Sequence, residues 1–378
     1  MNYKKSFYNV EIDALKEDRK LVYNTYSGIY GIMDVQTQAV YYDIENIDSD
    51  FITDDEILKN VNIMAKAGYI IPSDKNELAT IKFERERARY NTSTLTLSIT
   101  PTMDCNMRCP YCFETRNNLV MSKETQEQVI SFVKGYLNNN KNIKRLFVDW
   151  FGGEPLLYKD IVYSLSKQLI DICAEKDIAY SAGTSTNGSM LDVETARKLV
   201  DDCKLAYAQI TIDGFQEIHN KRRILANGDD SYSIIMANID ACKDIIPIIV
   251  RVNVDKENLD EIERLVTYFL EEKGWTDRPK FYVTPVYTND NTCGIDSSVC
   301  LQNEEFAQIY DMSNRAIYAL NRDSVINNLI PTRKKIFCSA EMVSNFLIDP
   351  EGYIYNCHHH VGMTERRVGH ITKPFVVN

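Results

Sequence analysis

Apolar positions recur along this chain with two periods that alternate. From about residue 94, short runs rich in Val, Ile, Thr and aromatic residues are each followed by a longer segment of three-to-four-residue apolar spacing. TLTLSIT, IKRLFVDWF, IAYSAGTSTNG, AYAQITIDG, IIPIIVRVNV and KFYVTPVY read as strands. KETQEQVISFVKGYL, KDIVYSLSKQLIDICAE, DVETARKLVDDC, SYSIIMANIDACKD, LDEIERLVTYFLEEKG and NEEFAQIYDMSNRAIYAL read as the helices that follow them. Six strand–helix units in a row predict an α/β fold, with a parallel sheet and helices outside it. A partial (β/α)6 barrel and an open doubly wound sheet both fit this periodicity.

The two ends differ from the middle. KLVYNTYSGIYGIMD and QAVYYDI predict short strands broken by Gly. DDEILKNVNIMAKAGYI has helical spacing, with Ile57, Val61, Met64 and Ala65 on one face and an end near Gly68. KNELATIKFERERARYNTS is polar and reads as a connector. Beyond a polar loop over 287–303 and Pro331, NFLIDPEGYIYNC predicts two strands about a Pro-Glu-Gly turn. The expected division is therefore 1–90, 91–325 and 326–378.

Composition narrows the function. Lys and Arg number 43 against 54 Asp and Glu, a net charge of −11, which argues against a general nucleic-acid binder. No run of about 18 apolar residues is present to span a membrane. The start, MNYKKSFYNVEID, lacks the apolar core of an export signal, so a cytoplasmic chain is expected. Its ten cysteines are then not expected to form structural disulfides. They are buried thiols, metal ligands or catalytic groups. Cys173, Cys203 and Cys242 fall at apolar positions of predicted helices and read as small core residues.

CNMRCPYC is the exception. It places Cys105, Cys109 and Cys112 in the loop after the first strand of the repeat, at the sheet end where α/β active sites lie. Zinc sites usually show two paired-Cys knuckles, or Cys and His pairs, and no fourth ligand is near in sequence. Thiolates are also the normal ligands of iron–sulfur clusters, and three of them on a cubane leave one iron open.

This CX3CX2C motif, with Tyr111 before its last Cys, resembles the signature of the radical S-adenosylmethionine (radical SAM) enzymes. Other motifs follow in matching order over about 94–290: Gly152-Gly153-Glu154-Pro155, Thr186-Asn187-Gly188, Thr211-Ile212-Asp213-Gly214 with His219 and Arg222-Arg223, then Arg251 and Asn253. The resemblance implies a partial (β/α)6 TIM-like barrel holding a [4Fe–4S] cluster and S-adenosylmethionine. It implies that Cys105, Cys109 and Cys112 are the cluster ligands and that a 5′-deoxyadenosyl radical abstracts hydrogen from the substrate. Tyr111, Gly152, Gly153, Glu154 and Asn187 would hold the cofactor, Glu154 through the methionine ammonium. Arg251 would take the methionine carboxylate, with Thr211, Asp213 and Asn253 facing the ribose or the substrate.

The C-terminal segment resembles the start of a SPASM domain, which carries auxiliary iron–sulfur clusters. Cys338, Gly352 and Cys357 match its opening, so Cys338 and Cys357 are expected metal ligands. That family continues with further close cysteines, and the expectation is that this sequence stops inside the domain. Otherwise ligands would come from Cys293, Cys300 or the His358–His360 run. Residues 1–90 resemble the PqqD-like, winged-helix-like peptide-recognition domain, on the phrase YNTYSGIYGIMD. Together these resemblances imply a maturase that forms thioether or carbon–carbon cross-links in a ribosomally made precursor peptide bearing a leader. It would draw electrons from a donor such as flavodoxin or ferredoxin, with no nucleic acid and no membrane as partner. The alternatives are a sulfatase-maturing enzyme, a radical SAM enzyme on a small molecule or RNA, and a non-catalytic metal-binding, peptide-binding protein.

Overall fold

The computed structural model describes residues 2–13, 18–47, 52–114, 116–275, 278–287, 296–320 and 333–373. It divides the chain into two units. One is Met1–Arg89 with the described residues 333–337; the other runs from Tyr90, with Cys338 and the residues after it. The segment expected to stand alone from residue 326 is thus shared between the two.

The first unit contains β1 (Tyr3–Lys5), β2 (Asn9–Ile12), β3 (Lys20–Asn24), β4 (Tyr30–Met33), α1 (Val35–Asp43), α2 (Asp55–Ala67), β5 (Ile70–Pro72) and α3 (Glu77–Arg89). β1 and β5 pair antiparallel, and β2–β3–β4 form an antiparallel sheet of three. QAVYYDI, expected as a strand, is helix α1 and the residue after it. The Asp34 side chain accepts from the Thr37 N–H and caps it, and Val40, Tyr41 and Ile44 reach one core together. Strand-like residue types lost there to a cap and a helical burial pattern. α2 is the expected helix, closed by Gly68 at φ 82°. The polar connector is helix α3, which buries no residue. Its Glu, Arg and Ala content suits a helix without a core face.

The second unit is built on β6 (Thr94–Ile99), β7 (Arg145–Trp150), β8 (Ala179–Thr186), β9 (Leu205–Thr211), β10 (Ile248–Val254) and β11 (Lys280–Pro285). All six predicted strands are present and pair in parallel. Between and after them lie α4 (Lys123–Asn139), α5 (Lys159–Glu175), α6 (Val193–Asp201), α7 (Gln216–Arg222), α8 (Ser231–Cys242), α9 (Ile262–Thr267) and α10 (Asn303–Leu320). Sheet order follows chain order, β6 to β11, without reversal. A doubly wound sheet reverses its strand order at a switch point. The unbroken order is that of a partial barrel.

The two faces of this sheet differ in chemistry. Leu95, Leu97 and Ile99 of β6, Leu146, Val148 and Trp150 of β7, and Val250 and Val252 of β10 are buried in the main core. The alternating positions carry Ser98, Asp149, Gln209, Thr211, Arg251 and Tyr282. Period-2 alternation puts these on the other face, away from the apolar core. Cys173, Cys203 and Cys242 are core residues, as expected.

After β11 the sheet continues through β12 (Asn345–Ile348), β13 (Tyr353–Tyr355) and β14 (Gly369–His370). β12 lies parallel to β6, Phe346 opposite Leu97, and forms the expected hairpin with β13. Gly352, at φ 88°, makes its turn. Among the described residues, no helix is long and apolar enough to cross a membrane.

Candidate active site

The Cys105–Cys112 loop leaves the end of β6 and is held on two sides. On one side, the Gly153 N–H donates to Thr102 O at 3.1 Å and the Glu154 N–H to Asp104 O at 2.9 Å. That approach leaves no room for side chains. A Cβ on Gly153 would lie 2.2 Å from Asp104 O, and one on Gly152 2.5 Å from Thr102 O. The two glycines after β7 thus let two backbones meet. On the other side, Met107 and Leu225 form an antiparallel bridge. The Arg108 N–H donates to Ile224 O at 2.7 Å, and the Ala226 N–H to Asn106 O at 2.8 Å.

Glu154 is fully buried. Its carboxylate accepts from the Leu156 N–H at 3.0 Å, the Thr186 hydroxyl at 2.6 Å and the Asn187 N–H at 2.6 Å. Burial raises its pKa against these donors. About four acceptor directions exist on a carboxylate, so three are used inside the protein. The Asn187 amide then reaches the cysteine loop, donating to Asn106 Oδ1 at 2.7 Å and to Cys105 Sγ at 3.9 Å. The ends of β6, β7 and β8 are one hydrogen-bonded unit.

A second cluster lies at the ends of β9 and β10. The Tyr111 hydroxyl donates to Asp213, and the Asn253 N–H donates to Asp213 Oδ1 at 2.9 Å. The Arg251 Nε–H donates to Asn253 Oδ1 at 2.8 Å. Arg222 of α7 pairs with Asp255 at 2.8 Å and Glu257 at 3.3 Å, and its Nε is 4.0 Å from Asp213. The Arg223 Nη1–H donates to the Tyr111 hydroxyl at 3.2 Å. His219 is buried, and its Nδ1 accepts from the Asp213 N–H at 3.3 Å. Burial, then the charge of Arg223, holds its imidazole down to about 3, so it is neutral.

The C-terminal segment reaches the polar face of the sheet. His358 Nε2 is 3.0 Å from Ser98 Oγ and 3.6 Å from Asp149 Oδ2. The His358 ring packs edge-on against Phe151 at 4.5 Å. His359 stacks on Phe113, next to Cys112, at 4.2 Å and 11°.

The donor set of the loop fits an iron–sulfur cluster. Burial and then Glu154 push the Cys105 thiol up to about 12, and desolvation followed by Glu114 does the same to Cys112. Such thiols keep their protons until a metal displaces them. Cys105 feels Cys109, and Cys112 feels both Cys109 and Cys105. They do not converge on one point: among the described residues, no three His, Cys, Asp or Glu could hold a single ion. A cubane asks for less, because each thiolate binds its own iron.

Of the residues singled out from the sequence, Cys105, Tyr111, Gly152, Gly153, Glu154, Asn187, Asp213, Arg251 and Asn253 meet at these strand ends. Thr211 stands in register with Arg251 on the next strand. Cys357 lies apart, in a cavity of about 330 Å³ also lined by Ala340, His360 and Arg367. Cys338 is exposed, Cys300 is half-buried, and Cys293 lies outside the described residues. His358 and His359, expected as possible auxiliary ligands, lie against Ser98 and Phe113. Ser98, Asp149, Phe113 and Asp255 were not anticipated. For Ser98 and Asp149 the signal was present, as polar residues alternating with apolar ones along a strand.

The profile of the Radical SAM superfamily matches residues 99–269. A cysteine-type anaerobic sulfatase-maturating enzyme of Clostridium novyi is 24% identical over 306 residues, 74% of this chain and 77% of that protein. An uncharacterized protein of Archaeoglobus fulgidus is 26% identical over 190 residues, 49% of this chain; the match spans only 41% of that relative. Among solved structures, anSMEcpe with bound AdoMet and Cp18Cys peptide has a TM-score of 0.57 at 20% identity, covering 75% of this chain and 79% of that one. Streptococcus suis SuiB bound to S-adenosylmethionine has a TM-score of 0.52 at 13% identity, covering 98% and 86%. At such identities the solved structures speak for the fold alone. The superfamily match falls on the strands that carry the cysteine loop, and residues 99–269 of this chain form a radical SAM domain.

Proposed function

We propose that this enzyme modifies a ribosomally made peptide, acting on a side chain or α-carbon held against the polar face of its sheet. The observation that carries the reading is the joining of the cysteine loop to the ends of β7 and β8 through Glu154, Asn187 and Asn106. The family's [4Fe–4S] cluster and S-adenosylmethionine supply, when bound, a 5′-deoxyadenosyl radical able to abstract hydrogen. Cys105, Cys109 and Cys112 would hold the cluster. Glu154, with one acceptor direction left, suits a cationic ammonium. Arg251, on the polar face, suits a carboxylate.

Peptide as substrate is supported by the neighbours. SuiB has been solved bound to its precursor peptide SuiA, and anSMEcpe with a Cp18Cys peptide. In the first unit, β4 is a sheet edge among the described residues, and Tyr30 and Ile32 on it are 56% and 58% exposed. A leader segment adding as a further strand would use such an edge. Thioether or carbon–carbon cross-linking is the reaction we favour, with electrons from a flavodoxin- or ferredoxin-type donor. Sulfatase maturation is the second reading, favoured by the Clostridium novyi relative.

Anaerobic reconstitution followed by reductant and S-adenosylmethionine tests the chemistry. 5′-Deoxyadenosine should accumulate, and should vanish in the triple Cys105, Cys109 and Cys112 to Ala variant. No product above background would defeat the enzyme reading. Titration with a candidate precursor peptide tests the edge strand. Ile32→Asp should weaken binding, and unchanged affinity would remove β4 from the account.

A further inference from the structure

Arg223 is a buried cation set among the charges of Asp213 and Glu154 without bonding to either among the described residues. It is 8% exposed. Among the described residues it forms no ion pair. Its polar contact is the hydroxyl of Tyr111, a neutral group, and its buried Nε–H has no acceptor. Its neighbour differs: Arg222 is paired with Asp255 and Glu257. A buried guanidinium with no direct ion pair is costly unless further opposite charge arrives. Its buried Nε–H leaves a place for something further, of opposite charge.

Its position names that something. Residues 224–226, directly after it, form the strap on the cysteine loop through the Met107–Leu225 bridge and its two flanking hydrogen bonds. Tyr111, its contact, lies between Cys109 and Cys112 in the chain. The Arg223 guanidinium therefore lies against the loop that carries Cys105, Cys109 and Cys112.

We propose that Arg223 is the fixed counter-charge of the cluster held by Cys105, Cys109 and Cys112, set in place by the 224–226 strap, and that it raises the cluster's reduction potential. This rests on the cluster reading of the loop. Cluster potentials depend on net charge and on nearby charges and hydrogen bonds. A buried cation favours the more negative, reduced form. Arg223 acts here as a positioning and tuning residue.

The test is a redox titration of the reconstituted full-length protein, followed by the electron paramagnetic resonance of the reduced cluster, with iron and sulfide assayed on each sample. Arg223→Met should move the midpoint to a more negative potential, Arg223→Lys should stay near the parent, and Tyr111→Phe, which keeps the charge, should shift it less than Arg223→Met. Equal potentials for Arg223→Met and the parent at equal iron content overturn the proposal. So does a Tyr111→Phe shift as large as that of Arg223→Met, which would trace the effect to packing. If Arg223→Met does not load iron, Arg223→Lys decides: a potential near the parent supports the proposal, and a large negative shift overturns it. A weaker binding of S-adenosylmethionine at unchanged potential also overturns it, assigning Arg223 to the methionine carboxylate. A parent protein that binds no iron defeats the cluster reading instead.

Discussion

Gly153→Ala isolates the contact between the cysteine loop and the end of β7. One methyl group is added, at a residue whose backbone is not in the left-handed region, so the effect is steric. The new Cβ would sit 2.2 Å from Asp104 O, 2.6 Å from Asp104 C and 2.8 Å from Met103 O, all backbone atoms. No side-chain rotation relieves that overlap. The two backbones must part by roughly 0.8 Å, enough to forfeit much of their contact energy. The parting breaks or lengthens two hydrogen bonds, Gly153 N–H to Thr102 O and Glu154 N–H to Asp104 O. Each is worth about 1 kcal/mol net, and overpacking adds about 1–3 kcal/mol. The expected cost is about 3–5 kcal/mol, read from urea unfolding of the protein without iron. If the loop detaches locally, the global cost is smaller and iron loading after reconstitution falls instead. Gly135→Ala in α4 is the control, with nothing within 4 Å of its Cβ. It should stabilise by up to about 1 kcal/mol. A Gly153→Ala protein within about 0.5 kcal/mol of the parent that loads iron fully would refute the packing argument.

Glu154→Gln puts an NH2 donor where a fully buried acceptor oxygen met N–H and O–H donors and should cost about 1.5–3 kcal/mol, seen in urea midpoints, together with weaker S-adenosylmethionine binding in equilibrium dialysis. His219 titrates near 3 in the folded chain against about 6.5 unfolded. Its contribution is therefore complete above about pH 6.5 and declines toward pH 3, by up to about 1.4 kcal/mol per unit. His219→Gln should flatten the loss of stability between pH 7 and pH 5, and equal losses in both proteins would contradict this. Asp149→Asn and His358→Ala should reduce peptide modification while leaving 5′-deoxyadenosine formation without peptide near the parent rate, as chromatography of the two products would reveal.

Much of this enzyme is legible in its residues because its signals are local. The six strands of the second unit are β-rich runs bounded by turns, and each appears where its pattern places it. The Cys105–Cys112 loop is legible from thiol spacing alone. Gly153 and Glu154 were identified by resemblance, and the structure supplies their reason: one permits a backbone contact, the other ties three strand ends. QAVYYDI was misread because its β-branched and aromatic residues suit either state, and the Asp34 cap decided it. The polar segment before residue 90 was read as a connector because a helix without a core face has no apolar stripe.

The sequence by itself determined the alternation of strands and helices, the thiol-rich loop and its place at a strand end, since each rests on residues close in the chain. It left open whether the sheet was singly or doubly wound. That choice lies in strand order, which the hydrogen bonds between distant segments decide. Tertiary structure alone joined Asn187 to Asn106, put His358 beside Ser98 and Asp149, and buried Arg223 against the cysteine loop. Residues more than eighty positions apart carry no mutual signal in a single sequence, and only packing brings their charges and hydrogen bonds within reach.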